Sequence, residues 1–239
     1  MDIVTAILVD GAFFIKRSMR IYGAQPPANL ARILHGCCIG HLSQRSHAGE
    51  LKTHLYRIFF YDCPPLNKKV HNPLTGRAID FRKTPEARWR LDLHQELRKQ
   101  RKVALRLGYL DEWHAEWTLT GEPLKRLCRH EVDRDGLTEH DVTYSVRQKG
   151  VDMRIGLDIA SITFKKQANQ IVLISGDSDF VAAAKLARRE GVDFILDPMW
   201  ATIRADLHEH IDGLRSTCPR PGIPGPAAAA TTDGSFGAA

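Results

Sequence analysis

The clearest pattern in the chain is an almost unbroken apolar run, Ile3-Val4-Thr5-Ala6-Ile7-Leu8-Val9, stopped by Asp10-Gly11. A run without alternation predicts a strand buried on both faces, the kind found in parallel sheets. Residues 55–61 and 171–174 carry the same signal, closed by Asp62-Cys63-Pro64-Pro65 and by Ser175-Gly176-Asp177. Helical periodicity fills about 27–46, 85–102, 152–167 and 179–190. The second of these starts well, with Pro85 in its first turn behind Thr84 as N-cap, and the last stops at Gly191. Strands over 103–110 and 192–196 and a final helix over 202–214 complete the regular part. Strand and helix alternating in short order predicts βαβ units and a mostly parallel α/β sheet flanked by helices.

Two stretches break the pattern. Residues 66–83 are polar, with Asn72-Pro73 and Thr75-Gly76 as loop signals. Residues 111–148 mix Trp113 and Trp117 with many charges, and are expected to be an insertion that extends the sheet or forms a flap. The last 23 residues, 217–239, hold four Pro, four Gly and six Ala, too little apolar surface to order a segment. The expected organisation is therefore one domain over 1–216, with the insertion at 111–148 and a disordered tail.

Composition narrows the classes. No apolar run approaches the roughly 18 residues of a membrane-spanning helix, so no membrane partner is expected. The chain opens directly in strand-like sequence, which reads as lacking a signal peptide. Five cysteines, an odd number without a CxxC pair, argue against a disulfide framework or a structural zinc site and for a reducing cytoplasm. His35, Cys38 and His41 have helical spacing but lack a fourth ligand. Dinucleotide-binding, P-loop and nucleophile-elbow motifs have no match.

The chemistry is carried by carboxylates. In open parallel sheets ligands bind outside the carboxyl ends of the strands. Asp10 ends the first strand, Asp177 and Asp179 follow 171–174, and Asp152 opens a helix after Lys149-Gly150-Val151. An Asp before a helix is also an ordinary N-cap, so the reading rests on the coincidence of positions. Acids gathered without a base between them repel, and a divalent cation with hard oxygen ligands, Mg²⁺ or Mn²⁺, removes that penalty. Asp158 lies about 120° round an ideal helix from Asp152, so it is expected as an indirect partner or as half of an ion pair.

Val9-Asp10-Gly11, then Lys149-Gly150-Val151-Asp152 with Asp158, then Ile174-Ser175-Gly176-Asp177-Ser178-Asp179-Phe180 resemble the NYN domains of the PIN-like nuclease superfamily, closest to the LabA-like bacterial branch. The resemblance implies a Rossmann-like sheet and a metal-dependent ribonuclease site. In it Asp10, Asp152 and Asp177 would be the primary carboxylates and metal ligands, Asp179 a supporting one, and Ser175 and Asp158 outer partners. Where many NYN domains have Asn, two residues after Asp-Gly, this chain has Phe13. That departure motivates an alternative, an RNA-binding or regulatory module with weak or no catalysis. A third possibility is a small-phosphate enzyme using the same acids.

The net charge of +6 then acquires a location. Residues 82–106 hold nine Lys and Arg against Glu86, Asp92 and Glu96. A basic helix beside a nuclease site could track an RNA backbone, with Arg98, Lys99, Arg101 and Lys102 as the candidate contacts. A solvated helix face is the plainer explanation of the same run.

Overall fold

The computed structural model describes residues 2–43, 45–46, 49–50 and 53–221. The first apolar run is strand β1 (Ile3–Asp10), and the chain turns straight into helix α1 (Gly11–Tyr22) and then α2 (Pro27–Gly40). A short hairpin follows, β2 (Arg45–Ser46) and β3 (Gly49–Glu50), then the long strand β4 (Thr53–Asp62). The polar stretch contains a second small hairpin, β5 (Lys69–His71) with β6 (Ala78–Asp80), and a 3₁₀ turn at Phe81–Lys83. Helix α3 (Pro85–Lys99) starts as expected, with the Thr84 hydroxyl accepting from the Ala87 N–H. Strand β7 (Val103–Leu107) closes this half.

Beyond β7 the stretch expected to be an insertion forms a hairpin arm. Strand β8 (Tyr109–Leu119) and strand β9 (Val142–Lys149) pair antiparallel in a sheet of their own, with helix α4 (Gly121–Cys128) in the turn between them. The chain then returns to the main sheet through α5 (Val151–Phe164), β10 (Gln170–Ile174), a 3₁₀ turn at Ser178–Phe180 and α6 (Val181–Arg189). It finishes with β11 (Asp193–Asp197), α7 (Ala205–Glu209) and β12 (Gly213–Leu214).

The six-stranded sheet has the order β12-β11-β10-β1-β4-β7, and every neighbouring pair is parallel. One core packs α1, α2 and α3 on one face through Phe14, Leu34 and Leu97. The other packs α5, α6 and α7 on the opposite face through Ile155, Ala184 and Leu207. The chain runs outward from β1 to β4 and β7, then crosses back to β10 and outward the other way. The reversal leaves a crevice between the carboxyl ends of β1 and β10, the ligand position of open α/β sheets.

Several expectations are corrected. The apolar run leads into a helix, α1, that the periodicity missed, because Phe13, Phe14 and Ile15 extend the strand pattern without a visible stop. Helix α2 ends at Gly40 rather than near 46. The expected helix over 202–214 is only Ala205–Glu209, and Gly213–Leu214 is an edge strand. The first residues of the expected tail are packed. The Thr217 hydroxyl donates to the Cys37 carbonyl, and Cys218 is buried. Residues 222–239 lie outside the described residues. Among the described residues no helix is long and apolar enough to cross a membrane.

Two glycines test this packing. A Cβ on Gly11 would stand 2.5 Å from the Tyr61 carbonyl oxygen and 2.7 Å from the Phe60 ring, so backbone must move. Nothing lies within 4 Å of the same atom on Gly156, inside α5. Gly11→Ala is expected to destabilise by roughly 1–3 kcal/mol, and Gly156→Ala to stabilise by roughly 0.5–1 kcal/mol. Urea unfolding of the two variants checks both signs.

Candidate active site

The parallel register of β1 and β10 places Val9 opposite Ile174, so the next residues, Asp10 and Ser175, emerge side by side. Ser175 is buried, and its hydroxyl donates to Asp10 Oδ2 at 3.3 Å while accepting from the Asp177 N–H at 3.3 Å. One hydroxyl thus ties the ends of both central strands together. Asp10 also caps α1 by accepting from the Phe13 N–H at 3.1 Å, and Asp177 accepts from the Asp179 N–H at 3.0 Å. Gly150, with φ of 76°, turns the chain from β9 into α5 and delivers Asp152, exposed, in the first helical turn.

These acids sense one another. Burial raises the Asp10 carboxyl above its ordinary value, and the charges of Asp152 and Asp177 push it further up, against the lowering effect of the Phe13 and Ser175 hydrogen bonds. Asp152 is raised too, by burial and then by Asp177 and Asp179. The four acids expected from the sequence therefore share one electrostatic neighbourhood.

A comparison along the same edge shows what sets them apart. Asp62, at the end of β4, is buried between Arg90, whose Nη1 donates at 2.6 and 2.7 Å, and His94 at 2.7 Å. Asp197, at the end of β11, is buried against His41 at 2.9 Å and accepts from the Met199 N–H at 2.7 Å. Those two are fastened into the structure. Among the described residues Asp10, Asp152, Asp177 and Asp179 form no ion pair. An acid group left without a countercharge is the cost a functional site bears and a structural one avoids.

The arrangement is open. Among the described residues no group of three or more His, Cys, Asp or Glu side chains stands close enough to hold a metal ion. Asp10, Asp152 and Asp177 therefore line the crevice as neighbours without converging on one point. The donor chemistry still suits a hard divalent ion that keeps most of its waters and takes one or two carboxylates.

Other candidates fall elsewhere. Asp158 accepts from the Tyr61 hydroxyl at 2.8 Å and pairs with Arg106 at 3.3 Å, so it is half of an ion pair and not a partner of the acids. The candidate RNA contacts are displaced. Arg98, Lys99, Arg101 and Lys102 lie at the C-terminal end of α3, where β7 begins, at the amino edge of the sheet. Helix α3, 15 residues long, separates them from the acids by about 20 Å. Lys99 pairs with Glu96 at 2.6 Å, and the Lys102 ammonium donates to the Leu55 carbonyl. Trp89, on the same helix, packs inward and donates to the Gln25 carbonyl.

Sequence reasoning missed the neutralised acids Asp62 and Asp197 at strand ends, the Arg90–His94 and His41 clamps on them, and Phe13 as cover. The Phe13 ring would stand 2.8 Å from a Cβ on Gly176, so it lies directly against the Ser175-Gly176-Asp177 turn. Asp62 and Asp197 carried a signal, each in its place at the end of an apolar run.

The NYN domain family model matches residues 90–208. No curated protein matches the chain. A crystal structure of a protein of unknown function from Vibrio parahaemolyticus is similar at 14% identity and a TM-score of 0.46, over 89% of this chain and 91% of that one.

The raised acids give a sign to pH dependence. A carboxyl raised in the folded state contributes stability below its ordinary value of 3.8, and loses it as pH climbs through the folded value. Asn keeps the cap and removes the charge. In metal-free buffer, Asp10→Asn should melt at the wild-type temperature near pH 3, gain on it as the pH climbs from 3.8 through the raised folded value, and keep a constant lead above that. Parallel thermal scans from pH 3 to 8 check this. Arg90→Ala is the contrasting case. It leaves the buried Asp62 with His94 alone and should destabilise by about 3 kcal/mol at neutral pH.

Proposed function

We propose, on the premise that this chain belongs to the NYN family and has the fold of the PIN-like nuclease superfamily, that it is a ribonuclease dependent on Mg²⁺ or Mn²⁺. The observation that carries the proposal is the set of uncompensated carboxylates at the β1/β10 crevice, where each raises another's affinity for positive charge. Asp10, Asp152 and Asp177 would hold the ion, with Asp179 in support. When bound, the ion would supply charge neutralisation at a phosphodiester and a water poised for attack.

The chain's own residues do the rest. Ser175 fixes the Asp10 carboxylate by donating to Oδ2, while the Phe13 N–H holds the other oxygen. Asp10 is thereby held in one orientation, as a group that must accept charge at the transition state should be. Asp152 and Asp179 are exposed and reach an incoming strand from solvent. The raised Asp10 and Asp152 carboxyls bind positive charge more readily than free ones do, which suits groups that would hold a cation.

A second reading has one observation behind it. Phe13 takes the place of the Asn common in the family and lies against the Gly176 turn. A ring there offers no hydrogen bond to a substrate or a water, so an RNA-binding module with little turnover uses the same geometry.

Labelled single-stranded and structured RNA incubated with Mg²⁺ or Mn²⁺ tests both. Cleavage is expected, abolished by EDTA, and reduced at least about a hundredfold in Asp10→Asn and Asp177→Asn. Ser175→Ala should lose about 10–100-fold. RNA and metal binding without turnover would support the second reading. Full cleavage by Asp177→Asn, or turnover of small phosphomonoesters with RNA left intact, would reject the ribonuclease.

A further inference from the structure

The hairpin arm leaves the sheet at the carboxyl edge and returns at Asp152, so its root belongs to the neighbourhood of the acids. Its two root residues pair directly, Tyr109 with Lys149. The Tyr109 ring and the Arg154 guanidinium both lie within 4 Å of where a Cβ on Gly150 would be, two residues before Asp152. Tyr109 is 58% exposed. From there the ladder continues to Asp111 opposite Arg147, then breaks. Residues 112–115 bulge outward, since pairing resumes only at Glu116 opposite Ser145.

Trp113 sits in that bulge and is 95% exposed. The other tryptophan of the arm, Trp117, packs edge-on against Tyr144 at 5.3 Å. A cavity of about 610 Å³ lies beneath Trp113, lined by Arg147 and Lys149 together with Asp111, His114 and Glu116. Asp111 is engaged by His114 at 2.9 Å. Arg147, Lys149 and Arg154 are exposed and form no ion pair among the described residues. The arm as a whole holds more acids than bases, so these cations are a feature of its root and not of its average composition.

Two bare aromatic faces with three unpaired cations between and beside them match what an unpaired polynucleotide needs. Rings stack bases in any sequence, and cations follow the phosphates. A duplex offers no free base faces. Four residues of chain put the Cα atoms of Tyr109 and Trp113 at most about 13 Å apart, so both rings are within reach of one short stretch of strand.

We infer that the root of the β8–β9 arm, with Tyr109, Trp113, Arg147, Lys149 and Arg154, is a single-strand binding track that leads an unpaired polynucleotide to Asp152. It deepens the ribonuclease reading and rests on it for the direction of the strand, but not for binding itself. It also replaces the C-terminal end of α3 as the basic surface that holds the substrate.

The test uses the full chain in EDTA and fluorescence anisotropy with labelled 12-nucleotide single-stranded RNA, the same DNA, and a 12-base-pair RNA duplex. Trp113 touches little, so Trp113→Ala should fold normally, which circular dichroism verifies. It should weaken single-strand binding by about tenfold, with Trp113→Phe restoring it and duplex binding unchanged. The combined variant Arg147→Gln, Lys149→Gln, Arg154→Gln should reduce the salt slope of single-strand binding by about 2. Neutralising Arg98, Lys99 and Arg101 should leave the slope as it is. RNA held more tightly than DNA would make the track an RNA site, and equal binding a general single-strand site; either supports it.

The inference is overturned if the wild type binds no single strand, or if Trp113→Ala binds it as tightly as wild type. Equal weakening of single-strand and duplex binding would also overturn it, as would a Trp113-dependent dimer in sedimentation without any effect on strand binding. The two readings fail separately. Cleavage that ignores Trp113 rejects the track alone, and Trp113-dependent binding without metal-dependent cleavage rejects the nuclease alone.

Discussion

The site depends on one constraint, the parallel pairing of β1 with β10. These strands are far apart in sequence, and their register sets Asp10 level with Ser175. A slip by one residue would turn Asp10 into the opposite face and bury it in a core. Leu8 and Leu173 pack into one core and Ile7 and Ile174 into the other, so a slip would drive each side chain into a space filled by another. Apolar packing therefore holds mutually repelling carboxylates together.

The edge of the sheet solves the same electrostatic problem in two ways. Asp62 and Asp197 are buried and matched by Arg90, His94 and His41. Removing those partners would leave an uncompensated charge, so they serve the fold. The central acids are instead matched by nothing in the chain. Their repulsion is tolerated because Asp152, Asp177 and Asp179 reach solvent, where water screens much of it. Asp10, the least exposed of the four and held by Ser175 and Phe13, bears more of the cost of burial, although burial leads the causes of the shift at Asp152 as well.

The sheet was legible in the sequence because parallel strands buried on both faces leave unbroken apolar runs, and so were the acids that end them. Asp152 was legible for a different reason: Lys-Gly-Val-Asp is a local turn with its own signature, here a left-handed Gly150. Helix α1 was hidden because its apolar residues continue the run of β1. The role of Asp62 was hidden because a carboxylate at a strand end looks the same in sequence whether or not an arginine 28 positions later neutralises it. The place of the basic run at the amino edge was hidden for a related reason. Charge counted along a helix ignores which end of that helix meets the site.

Topology sets which end of each helix meets the crevice. In a parallel α/β unit each helix runs antiparallel to its strands, so its C-terminal end lies at the amino edge, away from the crevice. Basic residues collected at the end of α3 favour the helix dipole and cap Leu55, which explains them without any ligand. A chain that must hold a polyanion at the carboxyl edge has only loops and helix N-termini there, and here those are occupied by Asp10, Asp152 and Asp177. The arm between β7 and α5 adds exposed cations, Arg147 and Lys149, at that edge. Its bulge points Trp113 into solvent, and its ladder ends where Gly150 turns the chain into the helix that carries Asp152.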